Sequence, residues 1–530
     1  MKEFSSIREI IENSAIQFKN NIAFKVKLKT DSGYCYDDIT YDRLKKETEA
    51  VGRYLLANIK PGSRIAIMGK NSYRWILVYL SVLCIDYTVI PIDRSWSGEE
   101  VKKQLARAGA DVIFYGTECT SAAEFSDVPV KICMDTCLDK IIAEGAAMQD
   151  MSAYNAVKIN GDKMSILLFT SGTTSESKAV MLSQRNITAN IYGMSLWEKF
   201  RQTDVSMALL PFHHAFGMTQ TVIFLSYGMC TVFCEGLRIA KCLTEYKVSV
   251  FVGVPLIVEG IYNNIIKKLK KSGKYNIFMK MKGLSNTLRK VKIDIRRRIF
   301  KEVLDAMGGN LRLIINGAAA IDPDVSRFFN DIGVTLVQGY GLSETSPVVA
   351  AENPEHIKYG SVGYPLPGID VKIIDPDENN IGEIAVRGAN VMLGYYNDEE
   401  NTKKVFRDGY FLTGDMGYFD DDGYLYITGR KKNVIVLANG KNVFPEELEG
   451  LIAKSPHVKE CLVSIKVEHS RELLCAKIVY NPDEEYESAE ICINDYIKEI
   501  NKTLVSYKQI REIELTADEM AKTSTGKIKR

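Results

Sequence analysis

The chain has 530 residues, 46% of them hydrophobic and 25% charged, with a formal net charge of +1. That length exceeds one ordinary core and predicts two or more domains, and the apolar share excludes a disordered chain. The near-zero net charge excludes a whole-molecule field directed at nucleic acid or an acidic partner.

In chain order, residues 1–18, MKEFSSIREIIENSAIQF, carry charges and an amphipathic helical period. This is unlike the continuous apolar stretch of a secretory leader, so none is expected. YDRLKKETEAVGRYLLANI predicts a helix ending before Pro61-Gly62. SRIAIMG reads as a strand, YRWILVYLSVLC as a helix and YTVIPI as a strand. The long apolar run WILVYLSVLCIDYTVIPI is interrupted at Asp86 and Pro91, which predicts helix, turn and strand in a core, not a membrane span. SGEEVKKQLARAG predicts a helix capped by Ser97, followed by the strand ADVIFYG. A second group of strands is expected at MSILLFT, VSMALLPF, VSVFVGVP, LRLIING and VTLVQGYG, each ending in a loop with Gly, Pro, Ser or His. Helices between short apolar strands predict α/β architecture with parallel-type sheets, and ligands then bind beyond the carboxyl ends of the strands. After about residue 360, GSVGYPLPGIDVKIID, NNIGEIAVRG and GYLYITGR alternate like a small β-barrel. A small α+β domain is expected to follow, with its boundary near Gly429–Lys432.

Two compositional features bear on context. The eleven cysteines are scattered singly without a Cys-x-x-Cys pair. Cys133/Cys137 and Cys230/Cys234 lack further ligands nearby, so free thiols in a reducing, cytoplasmic setting are expected, with no metal site or disulfide. Between Lys267 and Lys301 stand fourteen Lys/Arg against one acid, Asp294. A solvated helical face is the plainer reading of that run. Contact with a membrane surface or an anion is the functional one, and no aromatic or Gly pattern for nucleic acid accompanies it.

The common nucleotide motifs are absent. No Gly-Lys pair (69–70, 273–274, 440–441, 526–527) is followed by Ser or Thr, so there is no Walker-type loop. GYGLSE at 339–344 lacks the third Gly of a dinucleotide fingerprint, and no Gly-x-Ser-x-Gly elbow occurs. What remains is a set suited to nucleotide chemistry. TSGTTSESK (Thr170, Ser171, Gly172, Thr173, Thr174, Lys178) offers hydroxyls, backbone N–H groups and one cation to polyphosphate. QGYGLSETSP puts Gly339, Tyr340, Ser343 and Glu344 directly after a strand, where Gly admits a flat base and Glu suits Mg²⁺ beside phosphate. TGDMGYFDDDGYLYITGRKKN supplies Asp415 as a ribose acceptor and Arg430 after it, and KTSTGKIKR puts Lys527 on a Gly-containing loop.

These segments, in this order, resemble the adenylate-forming superfamily of acyl- and aryl-CoA synthetases, peptide-synthetase adenylation domains and beetle luciferases. The resemblance runs from TYDRL near residue 40 to Lys527. NVMLGYYNDEENTKKVFRDGYFLTGDMGYFDDDGYLYITGRKKNVIVLANGKNVFPEELE is most similar to long-chain fatty acyl-CoA synthetases, as is GVPLIVEGIYNNIIKKL before its basic insert. The resemblance implies a large N-terminal domain, 1–430, of two parallel-type α/β subdomains plus a β-barrel, and a mobile α+β lid, 431–530, hinged at Lys432. It implies ATP, Mg²⁺ and CoA as reactants: a carboxylate attacks the α-phosphate, and a CoA thiol then displaces AMP. By position, Lys527 would touch the acyl carboxylate and α-phosphate, loop 170–178 the β- and γ-phosphates, Glu344 the Mg²⁺ and Ser343 the α-phosphate. Asp415 and Arg430 would hold ribose, while Asn316-Gly317-Ala318 and Gly339-Tyr340 would flank adenine. His214 in PFHHAFGM would orient the acid, with His213 structural. His214, Gly253, Val254 and Gly317 would line the acyl pocket, and Gly440 would face the pantetheine arm.

One stretch departs from the family pattern. Ser175-Glu176-Ser177-Lys178-Ala179 stands where the family has Gly-x-Pro-Lys-Gly. Ser at 175 restricts the backbone at a cost of roughly 1 kcal/mol if φ > 0 is required, which predicts intact chemistry with weaker ATP affinity. A carrier-protein phosphopantetheine as acceptor, a non-fatty acid (aryl, branched or sterol-type) and a non-catalytic ATP-binding scaffold are the competing readings.

Overall fold

The computed structural model describes residues 2–30, 33–170, 177–197, 199–234, 238–437, 441–468, 471–481, 485–522, 528 and 530. They fall into two compact units. The first takes the chain up to Thr170, residues 177–370 and 387–409; the second takes 371–386 and the chain from Tyr410 onward.

The first unit is built on two sheets. In the seven-stranded sheet the spatial order is Gly394–Tyr395, Lys178–Ser183, Met164–Thr170, Thr88–Ile92, Arg64–Met68, Val112–Tyr115 and Val130–Cys133. Its last four strands are parallel. They are fed by helices that the sequence marks well. Tyr73–Cys84 is buried from Trp75 to Cys84, as a helix enclosed by core must be, and Arg74 in its first turn pairs with Asp139. Gly98–Ala108 starts at Ser97, whose hydroxyl accepts from the Glu100 N–H at 3.2 Å, and stops at Gly109 with φ +61°. The turn at Asp86 and the strand Thr88–Ile92 follow the expected interruption of the apolar run. Among the described residues no helix is long and apolar enough to cross a membrane.

The nine-stranded sheet runs Tyr364–Pro365, Val348–Ala351, Thr335–Gly341, Leu313–Asn316, Val250–Gly253, Val205–Ala208, Cys230–Phe233, Ile22–Thr30 and Gly33–Thr40. From Thr335–Gly341 through Cys230–Phe233 to Ile22–Thr30 the pairings are parallel, with antiparallel strands closing both edges. A core of Phe251, Val258, Phe278, Phe300, Ile314, Phe328 and Phe329 packs this sheet against its helices.

Two expectations are corrected here, and one element was missed. MSILLFT does not join the second group: Met164–Thr170 lies beside Thr88–Ile92 and pairs antiparallel with Lys178–Ser183. The connection from Thr170 to Lys178 is too short for the crossover that a parallel pair needs, so a hairpin-like return is forced. The hairpin Ile22–Thr30/Gly33–Thr40, with its mixed polar faces, was not anticipated. The cysteines are not all free thiols, since Cys234 pairs with Cys242. That spacing spans the end of a strand and the next helix, and no short motif advertises it.

In the second unit, Gly382–Gly388, Tyr410–Phe419 and Leu425–Arg430 pair antiparallel. They belong to a five-stranded sheet, in the stretch where the sequence alternates as short strands. Further on, Val458–Glu468, Arg471–Tyr480 and Glu512–Thr516 make a three-stranded sheet. Helices Pro445–Ile452 and Tyr486–Thr503 cover it through Leu448, Ile452, Ile493 and Ile497. This is the small α+β arrangement that the sequence predicts.

Candidate active site

The parallel strands of the nine-stranded sheet deliver the expected residues at their carboxyl ends. Gly253 and Asn316 are register partners at the ends of adjacent strands, and the Gly317 N–H donates to the Gly253 carbonyl at 3.1 Å. A Cβ on Gly317 would lie 2.6 Å from the Phe216 ring, so this glycine lets the ring close over the strand end. Ala318 adopts φ +69°, a conformation rare outside glycine. Asn316 is fully buried; its amide donates to the Ala319 carbonyl at 3.3 Å, while its Oδ1 has no partner among the described atoms. An acceptor left unsatisfied at a strand end suits a ligand donor such as an adenine amino group. One strand further, Gly339 and Tyr340 pair with Ala351 and Ala350. A Cβ at Gly339 would meet nothing nearer than 3.7 Å, so packing within the chain does not demand glycine there.

The expected phosphate and metal residues of the first unit come together through a residue that sequence reading missed. Glu344 and Ser343 are half-buried in the short turn Ser343–Thr345. Thr345 fixes that turn by donating to the Pro347 carbonyl at 2.6 Å, and Asn390 donates to the Thr345 carbonyl at 2.9 Å. Across the seven-stranded sheet, Gly394 and Tyr395 pair with Met181 and Val180, next to Lys178. Gly394 has φ +135°, and a Cβ there would sit 2.9 Å from Thr402. The strained turn therefore needs glycine, and it delivers the following tyrosine inward. The buried Tyr395 hydroxyl donates to Glu344 Oε1 at 3.1 Å and accepts from Lys178 Nζ at 3.4 Å, with that ammonium 4.6 Å from the ring centroid. Burial first, then the Glu344 charge, raise the phenol well above its ordinary range, so it stays a neutral bridge between cation and carboxylate. The signal was present as Gly394-Tyr395 in NVMLGYYN, but nothing local reveals its partner 217 positions away.

Thr170 is the cross-strand partner of Lys178 and donates to its carbonyl at 3.4 Å. Arg107 donates to the Ser177 carbonyl at 2.6 Å, tying down the start of that strand. Ser171, Gly172, Thr173 and Thr174 lie outside the described residues, as do Ser175, Glu176, Gly440 and Lys527.

His214 caps the helix Ala215–Ser226 in the loop after the strand Val205–Ala208. Its ring lies 4.2 Å from that of His213, whose Nε2 is 3.5 Å from the buried Asp93 carboxylate. Burial, reinforced by His213 and partly offset by Asp93, pushes the His214 imidazole down to about 4, so it is neutral near pH 7. Burial opposes ionisation of Asp93, yet His213 and the Ser95 N–H and hydroxyl outweigh it and hold that carboxyl well below its usual range. His213 therefore stands between Asp93 and His214. Val254 opens the helix Pro255–Lys271 immediately after Gly253.

In the second unit, Asp415 and Arg430 are register partners on adjacent antiparallel strands. Arg430 Nε donates to Asp415 Oδ1 at 2.7 Å, and the Asp415 N–H donates to Thr413 Oγ1 at 3.1 Å. Cross-strand pairing explains how a separation of fifteen residues becomes direct contact. Lys432 is exposed in the turn Lys431–Asn433, where its neighbour Lys431 forms an ion pair with Glu383 at 2.6 Å.

Among the described residues no group of three or more His, Cys, Asp or Glu could enclose a metal ion. A single well-held carboxylate such as Glu344 nevertheless fits Mg²⁺, which commonly takes one protein carboxylate with phosphate and water oxygens.

Strand-end glycines, a lysine–tyrosine–glutamate cluster and a paired Asp–Arg define a nucleotide-handling α/β fold, and the chain belongs to the family of AMP-binding enzymes. That family's model matches residues 11–396, and the model of the AMP-binding enzyme C-terminal domain matches 432–530. The chain is 29% identical to the long-chain-fatty-acid–CoA ligase FadD15 of Mycobacterium bovis, over 84% of this chain and 78% of that one. It is 26% identical to the chloroplastic long-chain-fatty-acid–[acyl-carrier-protein] ligase AEE15 of Arabidopsis thaliana, over 89% of this chain and 76% of that one. In fold it matches o-succinylbenzoate CoA synthetase (MenE) from Bacillus subtilis, solved with its acyl-adenylate intermediate. There the TM-score is 0.76 at 20% identity, with 98% and 96% of the two chains covered.

Proposed function

We infer that this chain is an AMP-forming acid–thiol ligase that activates a long-chain fatty acid with ATP and transfers the acyl group to CoA. The observation that carries the reading is the Lys178–Tyr395–Glu344 cluster, a cation and a carboxylate held at fixed separation by a neutral phenol. Such a pair serves a reaction in which two anions are pressed together. A carboxylate oxygen attacks the α-phosphorus, the bond to the β-phosphate oxygen breaks, and pyrophosphate leaves. The CoA sulfur then attacks the acyl carbonyl, and the carbon–oxygen bond to AMP breaks. Neither step calls for a protein nucleophile.

Within this reading Lys178, Thr170 and the loop residues Ser171, Gly172, Thr173 and Thr174 hold the β- and γ-phosphates. Ser343 holds the α-phosphate and Glu344 the Mg²⁺, whose role is to neutralise phosphate charge. Asn316, Gly317, Ala318, Gly339 and Tyr340 flank adenine, while Asp415 and Arg430 take the ribose hydroxyls. Neutral His214 orients the acid without repelling or protonating it, beside Gly253 and Val254. Lys527 stabilises adenylation, Lys432 is the hinge between residues 1–430 and 431–530, and Gly440 faces the incoming pantetheine. Both curated relatives described above carry long-chain fatty acids in their names, which supports that acid class.

A second reading of the acceptor, a carrier-protein phosphopantetheine, is favoured by the basic segment 267–301 and by the name of the Arabidopsis relative. In either case that segment is the chain's contact surface for an anionic partner. Pyrophosphate release across a panel of acids, followed by thioester formation with CoA against a carrier protein, tests both readings. Release with long-chain acids and thioester on CoA is expected. Release with aryl or sterol-type acids alone, or thioester only on the carrier, would overturn the corresponding part.

A further inference from the structure

The basic segment forms mainly two helices, Pro255–Lys271 and Tyr275–Lys290, in the first unit. The second helix has a buried face and a separate exposed apolar row. The buried face holds Phe278 and Ser285; Phe278 stacks at 5.7 Å on Phe328 and packs at 5.0 Å on Phe300. This is the face that joins the core. The exposed row consists of Ile277 and Leu284 on the helix and Val291 at its C-cap, exposed at 60%, 59% and 65%. Seven-residue spacing sets Ile277 and Leu284 on one face, roughly a third of a turn from the buried one, and Val291 follows where the helix stops. A helix whose core-facing side is already filled has no folding reason to keep a second row of large apolar side chains in water. Ile293, also exposed, continues the row beyond the helix end.

The charges around this row are compensated only in part. Lys274, Lys282, Arg296 and Lys301 have acidic partners in Glu302, Asp331, Asp294 and Asp305. Among the described residues, Lys267, Lys268, Lys271, Lys280, Lys290 and Lys292 make no ion pair. Lys280 and Lys290 are exposed on the same helix as the apolar row. Large apolar side chains interleaved with free ammonium groups are the composition of an interfacial helix. The apolar row enters the acyl boundary of a bilayer, while lysines meet anionic headgroups. An acidic carrier would satisfy the charges but would leave Ile277, Leu284 and Val291 without a comparable apolar phase.

We propose that the helix Tyr275–Lys290 docks on an anionic lipid bilayer, its Ile277–Leu284–Val291 row inserted and its lysines on the headgroups. This rests on reading segment 267–301 as a contact surface, and it names that surface's partner. The test is co-sedimentation of the full chain with vesicles of phosphatidylcholine alone and of phosphatidylcholine mixed equally with phosphatidylglycerol. Binding is expected only to the anionic vesicles and should weaken with salt, because exposed charges are screened. The double variant Ile277→Ser, Leu284→Ser should bind about tenfold or more weakly, from the apolar area withdrawn. Lys280→Glu with Lys290→Glu should do the same. All variants should retain their thermal midpoints and their pyrophosphate release with a water-soluble acid. Anionic-vesicle binding that the serine variant leaves unchanged would overturn the inserted row while keeping a contact surface of charge alone. No vesicle binding, with a purified acidic carrier protein captured through the same lysines, would overturn the bilayer proposal and leave the contact-surface reading standing. Vesicle binding without any pyrophosphate release would refute the ligase reading and support the docking proposal.

Discussion

Replacing Tyr395 with Phe removes one hydroxyl and keeps the buried ring. The hydroxyl donates to the Glu344 carboxylate at 3.1 Å and accepts from Lys178 at 3.4 Å. A hydrogen bond to a charged group contributes about 1.5–3 kcal/mol, and the second contact is long enough to add little. Glu344 is half-buried, so water compensates part of the loss, and about 1–2 kcal/mol is the reasonable range. At about 1.4 kcal/mol per tenfold change, the variant should lose roughly 5- to 30-fold in kcat/KM for Mg·ATP. Pyrophosphate release at saturating acid, with ATP and Mg²⁺ varied in turn, separates the effect. The loss should appear mainly in the ATP and Mg²⁺ dependence, while KM for the acid changes little. Circular dichroism and the thermal midpoint should stay close to the parent because the ring still fills its site. An unchanged kcat/KM for Mg·ATP would refute the claim that Tyr395 positions Glu344 and Lys178.

Further outcomes follow from the same geometry. Gly339→Ala should fold with an unchanged thermal midpoint, since nothing lies within 3.7 Å of the new methyl, yet raise the KM for ATP; an unchanged KM would mean that the base lies elsewhere. His214 gives a pH dependence of stability. Its folded pKa of about 4 lies below an unfolded value near 6.5, so the unfolded chain binds the extra proton. Stability is therefore full above about pH 6.5 and declines toward pH 4, by about 3 kcal/mol in total, and His214→Gln should flatten that decline in urea titrations at several pH values. A decline identical in the variant would assign it to other groups. Ser175→Gly with Ser177→Pro should lower the KM for ATP, and no change would remove the idea that this loop weakens nucleotide affinity.

Much of the first unit was legible because each strand–helix step carries its own punctuation. Ser97 and Gly109 bound one helix chemically, and Asp86 divides helix from strand. Asn316-Gly317 were expected through the family resemblance and Gly339-Tyr340 also from the glycines after a strand, and both pairs lie where parallel strands end. What escaped depends on pairings distant in sequence. Tyr395 reaches Lys178 only because Gly394–Tyr395 adds to the edge strand Lys178–Ser183. The sheet to which Met164–Thr170 belongs was misread because its apolar pattern fits either neighbour, and only the short return to Lys178 decides. Asp93 gave no local sign of its partnership with His213, which arises from loops at the ends of two different sheets. Cys234 and Cys242 meet where a strand end faces the start of a helix, a closure that their spacing alone does not specify. Asp415 and Arg430 were named from their motif, and their direct contact follows from register.

The most direct measurement is pyrophosphate release by the full chain with ATP, Mg²⁺ and a long-chain fatty acid, made alongside the Lys527→Ala variant and followed by addition of CoA. The account predicts release that requires the acid, an acyl-CoA thioester once CoA is present, and loss of acid-dependent release in the variant. Release that ignores the acid, or that persists undiminished without the Lys527 ammonium, would contradict it.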